Sequence, residues 1–379
     1  MYSKYGTAGV VSIFHTLGWL PVKNYTTSIF PEYERFDGKN LRTTFKTKPR
    51  SCHSCPLAHC HLIEVSEGPY KGLRCEEPEY ELWAGWGPNI GNTDPNAVVK
   101  LNDLTDRLGM DGNEASYLVS MVMECFEKGI VTSKDTDGIE LTWGNVSGVI
   151  SLIESMARRK GIGDILAEGV MRAARKIGKG AEECAIYVKQ GSAPQGLDLR
   201  GAWGLLFTHA VSTIGSWEGY FLERGTIPEL GFKEPIPAWS EEWVPKAAAR
   251  TGCKRQFEES IGCCIFVSRE SIQIYLNTIN ALTGRNLDVE EMLKIGKRII
   301  TLNRAFAIRQ GCSPEDDGAS PRILNAAKDG PAMDRSIAPS LETMKKAYYA
   351  ELGWDENTSK PLPETLRALG LDEVIKDLW

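Results

Sequence analysis

The sequence predicts a mainly α-helical protein in two packed halves, residues 1–185 and 186–379, with little strand. Apolar residues recur at helical spacing over most of the chain after residue 94. Most of these segments end at a glycine, the residue that best adopts the left-handed conformation after a helix. Between residues 185 and 240 the helical pattern weakens and Gly and Trp become frequent, so the boundary is placed near residue 185.

The elements are predicted in order along the chain. Helical spacing begins at residues 5–15, whereas residues 51–95 are predicted to be irregular because turn residues are frequent there. Asp94 can cap the next helix, and Pro95 fits its first turn. The remaining helices are predicted at residues 95–108, 114–128, 143–160, 164–177, 240–250, 268–283, 289–308, 340–351 and 362–379. The apolar run 185–188 is predicted to be a short strand.

Composition excludes several classes of function. The 44 basic and 50 acidic residues give a net charge of -6, and no basic stretch occurs, so nucleic acid is not an expected partner. The apolar run at residues 7–20 is too short to span a membrane and lacks the features of a signal peptide. We therefore expect a cytoplasmic protein. The ten cysteines then indicate a metal site or redox chemistry rather than disulfides.

Three of the cysteines, Cys52, Cys55 and Cys60, lie within nine residues of one loop. Iron–sulfur clusters take four thiolates, usually three close together and one distant, whereas zinc takes four Cys or His ligands. Three histidines flank the thiols and could complete a zinc site: His53, His59 and His61. The spacing favours an iron–sulfur cluster over zinc and leaves both open, and a loop with three chance cysteines is the third alternative.

Two hexapeptides, Asp106–Asp111 and Glu259–Cys264, share one pattern: an acid, two residues, a glycine, one residue, and then Asp or Cys. A carboxylate accepts two N–H donors side by side, which suits the amino-pyrimidine edge of a pterin or purine. The glycine lets the backbone approach a flat ligand closely. Either hexapeptide alone is more simply explained as a glycine helix cap. Cys264 adds a distant fourth thiol for the cysteine loop.

With these motifs in place, the chain resembles the C-terminal portion of the aldehyde ferredoxin oxidoreductase family, enzymes with a tungsten or molybdenum bis-pyranopterin and a [4Fe-4S] cluster. The resemblance rests on the order of many segments. They are Lys4–Gly9, Leu20–Asn24, the cysteine loop, Glu79–Glu81, Gly87–Asp94, both hexapeptides, Gly163–Gly169 and Asp198–Gly201. It implies two helical domains like domains 2 and 3 of that family. It also implies oxidation of an aldehyde or a related small molecule, with electrons relayed to ferredoxin or a partner subunit.

The resemblance also implies roles for individual residues. The cluster would be bound by Cys52, Cys55, Cys60 and Cys264. One pterin would be held by Asp106, Gly109, Met110 and Asp111, and the other by Glu259, Ser260, Ile261, Gly262 and Cys263. Two departures are visible: the cysteine loop has one residue more than usual between its last two thiols, and Glu259 stands where the family usually has Asp.

Three residues are candidates for moving protons. Glu81 matches the family's active-site glutamate, and the alternative for it is an exposed loop acid. The family's active-site histidine would fall near residues 214–218, where this sequence has Glu218 instead. His209 is close in sequence and is the third candidate, although a histidine in an apolar stretch is more often a core residue.

The family's N-terminal β-rich domain has no counterpart in this sequence. We expect a separate polypeptide to supply it, and the alternative is that the sequence is a fragment of a longer protein or has a mispredicted start. Two rival functions are kept. One is an iron–sulfur electron-transfer or scaffold subunit without its own pterin catalysis. The other is a zinc-stabilised helical binding protein, which would not need Cys264.

Overall fold

The computed structural model describes residues 1–213, 215, 227–268 and 271–379. In chain order the first helices are α1 Tyr2–Tyr5, α2 Val11–Thr16, α3 Gly38–Thr44, α4 Tyr80–Trp86, α5 Pro95–Arg107, α6 Gly112–Glu127, α7 Val146–Ala157, α8 Ile162–Leu166 and α9 Val170–Ile177. The others are α10 Trp203–Val211, α11 Trp243–Ser260, α12 Ile265–Ser268, α13 Ile272–Thr283, α14 Val289–Arg309, α15 Pro321–Leu324, α16 Leu341–Leu352, α17 Pro363–Ala368 and α18 Ile375–Leu378. The prediction of a mainly α-helical fold with little strand is confirmed.

The chain divides into two compact units. The first unit consists of Met1–Tyr187, Gly191–Gly201 and Ala319–Ser336, and the second of Val188–Gln190, Ala202–Gly318 and Ile337–Trp379. The chain therefore leaves the first unit and later returns to it. Arg322 anchors the returning segment, because its Nη2 donates to Glu124 Oε1 at 2.7 Å. Asp329 adds a second anchor, since its Oδ1 accepts from the Ser28 amide at 2.7 Å.

Helices α5 and α6 form the centre of the first unit. Asp94 caps α5 by accepting from the Asn96 amide at 2.9 Å, and Pro95 begins the helix, as predicted. Asp111 caps α6 through the Glu114 amide at 2.8 Å. Residues 115–125 of α6 are all buried, so this helix is surrounded by other parts of the unit.

The sheet of the first unit was missed by the sequence analysis. Strands β1 Lys46–Pro49, β2 His61–Glu64 and β3 Arg74–Glu76 pair antiparallel in the order β1-β2-β3, within the region predicted to be irregular. These strands have only three or four residues and are rich in charge, so they lack the apolar alternation that identifies a strand. The sheet matters because the cysteine loop is the connection between β1 and β2.

Other predicted boundaries are corrected by the structure. Residues 185–188 form no strand of the sheet, although three of the four are buried. The predicted helix 164–177 is interrupted at Gly169, which has a φ of 87°. The predicted helix 362–379 is interrupted in the same way at Gly370, with a φ of 65°. Conversely, α11 continues well beyond the predicted residue 250, so that the second hexapeptide begins on its last turn.

In the second unit, a cluster of charged side chains is fully buried. The Asp317 carboxylate accepts from Arg304 Nη1 at 3.0 Å, from the Tyr349 hydroxyl at 2.5 Å, and from Lys189. A buried carboxylate with three such donors is satisfied, but removal of one partner would leave an uncompensated charge. Within the described ranges, no helix has the length and apolar character needed to cross a membrane.

The crossing of α11 and α14 depends on a glycine and gives a testable prediction. A Cβ atom built on Gly296 would lie 1.8 Å from the Cys253 carbonyl oxygen, so Gly296→Ala should force the helices apart. We expect a loss of about 2–3 kcal/mol in the free energy of unfolding, measured by chemical denaturation. Gly252→Ala on α11 is the control, because its Cβ would meet only Ile300 Cδ1 at an ordinary 3.4 Å. Equal effects of the two variants would contradict this account of the crossing.

Candidate functional site

The cysteine loop is held at its base by the sheet. The Arg50 amide donates to the Cys60 carbonyl oxygen at 2.9 Å, and the Cys55 amide donates to the Cys52 carbonyl oxygen at 3.1 Å. Cys52 is exposed, whereas Cys55 and Cys60 are partly buried. All ten cysteines of the chain are described, and none of them forms a disulfide. The loop therefore presents three thiols close to the surface without a disulfide.

At the end of this loop, His59, Cys60 and Glu79 could together hold a metal ion. One ligand atom from each of the three lies within 4.8 Å of the others. His59 Nε2 lies 3.1 Å from Glu79 Oε1, and this hydrogen bond raises the pKa of His59. Partial burial, followed by the Glu79 carboxylate, raises the pKa of the Cys60 thiol to about 12. A metal would therefore have to displace a proton from Cys60 in order to bind its thiolate.

His61, one of the zinc candidates, has other partners. Its Nδ1 lies 3.0 Å from Glu77 Oε2 and 3.1 Å from Arg42 Nη2. The Arg42 guanidinium also forms an ion pair with Glu77 at 2.6 Å. This buried cluster fixes the start of β2 below the cysteine loop. In this position His61 acts as a structural residue of the sheet rather than as a free ligand.

The two hexapeptides have the same backbone geometry. In the first, the Gly109 amide donates to the Asp106 carbonyl at 3.1 Å and the Met110 amide donates to the Thr105 carbonyl at 3.0 Å. In the second, the Gly262 amide donates to the Glu259 carbonyl at 3.0 Å and the Cys263 amide donates to the Glu258 carbonyl at 2.9 Å. Each is a Schellman turn with its glycine in the left-handed conformation, at φ 66° and 70°.

Both turns also present the same surface. Asp106 and Glu259 are exposed, and the apolar residue two positions later is exposed as well: Leu108 by 38% and Ile261 by 39%. Apart from the chain neighbours of each glycine, no atom of the described residues lies within 4 Å of the place where a Cβ would stand on Gly109 or Gly262. The residue after each glycine, Met110 or Cys263, is partly buried, as is usual for this motif. Here a flat ligand could rest on an open glycine between a carboxylate and an apolar side chain.

The acids of the two turns differ in their partners. Asp106 accepts from Asn102 Nδ2 at 3.3 Å. Its pKa is raised, first by partial desolvation and then by the nearby carboxylates of Asp103 and Glu76. Glu259 instead forms an ion pair with Arg255 one helical turn earlier. A ligand at the second turn would therefore have to compete with the Arg255 guanidinium for the Glu259 carboxylate. A ligand that donates N–H groups to Asp106 at the first turn would instead relieve the repulsion between Asp106 and the carboxylates of Asp103 and Glu76.

The remaining residues of the two turns differ in burial and in hydrogen bonding. Asp111 is committed to capping α6, and Met110 is partly buried. The Ser260 hydroxyl donates to the Phe257 carbonyl at 2.7 Å. Cys263 is partly buried, which raises its pKa, with Glu258 as the next cause. Cys264, the predicted fourth cluster ligand, is exposed and directly precedes α12.

Glu81 lies in the first turn of α4. Burial raises the pKa of Glu81 to about 7, and the Glu79 carboxylate adds to this shift. Helix α4 is held tightly against α6, because a Cβ on Gly85 would lie 2.6 Å from Ser116 Oγ. Gly196 closes the other side, since a Cβ there would lie 2.7 Å from Glu81 Cα. A carboxyl group that titrates near neutrality in a fixed position is suited to proton transfer.

The segment around Gly196 includes residues that the sequence analysis did not identify as functional. The Tyr117 hydroxyl donates to the Gln195 carbonyl at 2.7 Å, and the Tyr25 hydroxyl donates to the Leu197 carbonyl. Arg200, paired with Asp198, donates to the Tyr25 carbonyl at 2.9 Å. The one available signal was the matched segment Asp198–Gly201 directly after a Pro-Gln-Gly turn. Tyr25 and Tyr117 are distant in sequence and gave no signal.

The other two candidates for moving protons are His209 and Glu218, and the structure supports a role in proton transfer less for these than for Glu81. His209 is fully buried on α10 of the second unit, with Nδ1 2.7 Å from the Leu205 carbonyl oxygen. Burial lowers the pKa of His209 to about 4, so the imidazole is neutral at physiological pH. The Leu205 carbonyl oxygen can only accept a hydrogen bond, so Nδ1 of His209 carries the proton. Nε2 is therefore unprotonated, and it has no hydrogen-bond partner among the described residues. Glu218 lies outside the described residues, as does most of the segment 214–226 around it.

Comparison with known proteins identifies the class of protein. The family model described as "Aldehyde ferredoxin oxidoreductase, domains 2 & 3" matches residues 1–371. The chain therefore belongs to the aldehyde ferredoxin oxidoreductase family, and the resemblance drawn from its motifs is confirmed.

Individual relatives are similar over nearly the whole chain. One is an aliphatic sulfonate oxidoreductase, WOR-like subunit, of Pyrococcus furiosus, 30% identical over 394 residues that cover 100% of this chain and 59% of the relative. Another is a tungsten-containing aldehyde ferredoxin oxidoreductase of the same organism, 30% identical, covering 98% of this chain and 60% of the relative. The chain thus spans about 60% of the length of these relatives.

A solved structure shares the fold. It is the active site complex BamBC of benzoyl coenzyme A reductase in complex with 1,5-dienoyl-CoA, with a TM-score of 0.77 and 22% sequence identity. The match covers 96% of this chain and 59% of that chain. At this identity the likeness establishes the fold, and it agrees with the two-domain helical architecture of the family.

Proposed function

We propose that this chain forms the helical part of an oxidoreductase that uses a tungsten or molybdenum bis-pyranopterin and a [4Fe-4S] cluster. The observation that supports it most directly is the repeated turn: two Schellman turns with an exposed acid, an exposed apolar residue and an open left-handed glycine. Two similar turns suit two similar ligands, as a bis-pterin requires. The family membership of the chain supports the same assignment.

The donor groups fit the two cofactors. Cys52, Cys55 and Cys60 would bind the cluster together with Cys264, and none of these thiols is engaged in a disulfide. Asp106, Gly109, Met110 and Asp111 would hold one pterin, and Glu259 to Cys263 the other. When bound, the metal–pterin group would take up the two electrons removed from the substrate, and the cluster would relay them to ferredoxin or a partner subunit.

Glu81 would act as the proton acceptor. Oxidation of an aldehyde with water gives a carboxylic acid, two electrons and two protons, so a base beside the substrate carbon is required. A carboxylate with a pKa of about 7 can accept one of these protons and release it to solvent at physiological pH. His209 has a pKa of about 4, too low for the imidazole to keep a second proton at physiological pH, so it would serve only as a neutral hydrogen-bond acceptor. Glu218 stays a predicted proton carrier.

The test is a determination of metals after anaerobic purification, with EPR spectroscopy of the reduced protein. We expect about four irons per chain and one tungsten or molybdenum. About four irons without either metal would instead support the electron-transfer or scaffold subunit. The prediction that a separate β-rich polypeptide completes the pterin site is checked in the same preparation, by asking whether such a polypeptide copurifies with the metals.

A zinc-stabilised binding protein is the second candidate, because one observation favours it. His59, Cys60 and Glu79 already form a compact group of three possible zinc ligands. In this case zinc alone would be found, and the iron–sulfur and pterin assignments would both be rejected for the purified chain.

A further inference from the structure

Gln195 has a polar side chain that finds no polar partner among the described residues. The residue is 1% exposed, and both its Nε2 and its Oε1 are buried without a hydrogen bond in the part of the chain that the structure describes. Leaving a buried donor or acceptor unsatisfied is costly, so the great majority of buried polar side chains find partners. An amide with both ends unsatisfied therefore needs an explanation.

The backbone of Gln195 cannot readily move to find partners. Its carbonyl accepts from the Tyr117 hydroxyl at 2.7 Å, and the Leu197 carbonyl accepts from Tyr25. The two tyrosine hydroxyls lie 3.1 Å apart and are themselves buried. Two tyrosines thus fix the peptides on both sides of Gly196. Positioning of this kind is typical of binding groups that must be ready before the ligand arrives.

Two links connect Gln195 to Glu81. The next residue, Gly196, packs so closely on Glu81 that its Cβ position lies 2.7 Å from Glu81 Cα. The Tyr117 hydroxyl, which donates to the Gln195 carbonyl, provides the second link: burial is the main cause that raises the pKa of Tyr117, and the carboxylates of Asp198 and then Glu81 add to the shift. Gln195 therefore directly precedes a residue that packs against the proposed proton acceptor.

We propose that Gln195 is a ligand-binding residue, whose carboxamide hydrogen-bonds to a planar group that carries a carbonyl oxygen beside an O–H or N–H. The carboxamide offers a donor and an acceptor side by side, so it matches such a group at two points. Two sources share this chemistry: the carboxylic acid formed from the substrate, and the lactam edge of a pterin. Only this choice of sources rests on the function proposed above.

The first test measures thermal unfolding of the full chain without added ligand. Gln195→Met replaces the unsatisfied amide by an apolar side chain of similar shape, so we expect the Tm to rise by about 2–4 °C. The control is Gln256→Met on α11, another buried glutamine, which does have an interaction partner and should lose stability. A fall in Tm for Gln195→Met like that of the control would show that the amide has a structural partner, and would overturn the proposal.

The second test has two arms. In ligand-observed NMR, acetamide carries a carbonyl beside an N–H, whereas acetone has the same size and lacks the donor. Acetamide should bind wild type at least tenfold more tightly than Gln195→Met, and acetone should not distinguish the two proteins. In the other arm, the pterin content of the purified proteins is measured by fluorescence after oxidation.

Loss of acetamide binding alone identifies the substrate group as the ligand, and at least a tenfold loss of pterin identifies the cofactor edge. The inference is overturned if Gln195→Met keeps both. Absence of tungsten and molybdenum from wild type would reject the proposed function but would leave the Tm and acetamide results to decide on Gln195. The two failures are therefore distinguishable.

Discussion

The Cys264→Ser variant is expected to lose the iron–sulfur cluster, with iron content falling from about four per chain to near zero. Serine is a poor ligand for iron in place of a thiolate, and the fourth ligand closes the cluster. The measurement is iron and sulfide analysis with EPR of the dithionite-reduced protein, under anaerobic conditions. Cys312→Ser is the matched control: Cys312 lies in the same unit, is also a free thiol, and has no proposed ligand role. It should keep full iron content.

An unchanged metal content in Cys264→Ser would contradict the cluster assignment. If the retained metal is zinc, Cys264 is not one of its ligands, and His59, Cys60 and Glu79 are the candidate group among the described residues. Glu79→Gln should then reduce zinc content, since the amide is a much weaker ligand than the carboxylate. The two substitutions together therefore separate the oxidoreductase from the zinc protein.

The Glu81→Gln variant is expected to reduce turnover of the holoenzyme by about 10²–10⁴-fold. The amide keeps the size of the side chain but cannot accept a proton. In wild type, activity should rise with pH and level off above about pH 7, since the carboxylate form is the active one. The residual activity of Glu81→Gln should lack this rise. The measurement is aldehyde-dependent dye reduction over a pH series.

Glu114→Gln is a matched control for burial and charge. Burial also raises the pKa of Glu114 to about 7, but this carboxylate is used structurally, accepting from the Val170 amide at 2.6 Å. Wild-type stability should fall as pH rises from about 4.5 to 7, because in that window the folded state binds more protons than the unfolded state. Each variant should weaken that slope. Only Glu81→Gln should change the pH profile of activity, and an equal loss of activity in Glu114→Gln would argue against a catalytic role for Glu81.

The parts of the fold that were predictable depend on local signals. Asp94 and Pro95 mark the start of α5 because capping acts over two residues, and Gly109 and Gly262 mark helix ends because each is left-handed. The sheet under the cysteine loop was not predictable in this way. Its strands are short and charged, and they are stabilised by pairing with each other and by buried contacts such as Arg42 with Glu77. Such contacts leave no periodic pattern in the sequence.

In the candidate site, too, the features with a local sequence signal could be predicted and those that depend on long-range contacts could not. The cysteines, Glu81 and the two turns could be predicted as site residues from the sequence because each belongs to a compact motif. Gln195 and its two tyrosines were missed, because Tyr25 binds the carbonyl of Leu197 from 172 residues away and Tyr117 reaches Gln195 across 78 residues. The role proposed for Gln195 rests on the missing partners of its side chain among the described residues, and a missing partner is visible only once the neighbours are in place.

The return of the chain to the first unit has a consequence for biosynthesis. Glu124 on α6 obtains Arg322 as a partner across 198 residues, and Ser28 obtains Asp329 across 301. The ribosome makes most of the second unit before it makes these partners. The first unit therefore lacks its last segment, Ala319–Ser336, while more than a hundred residues of the second unit are synthesised. During this time Glu124 on α6 has no Arg322 to pair with. The ion pair between Glu124 and Arg322 can therefore form only after most of the second unit has been synthesised.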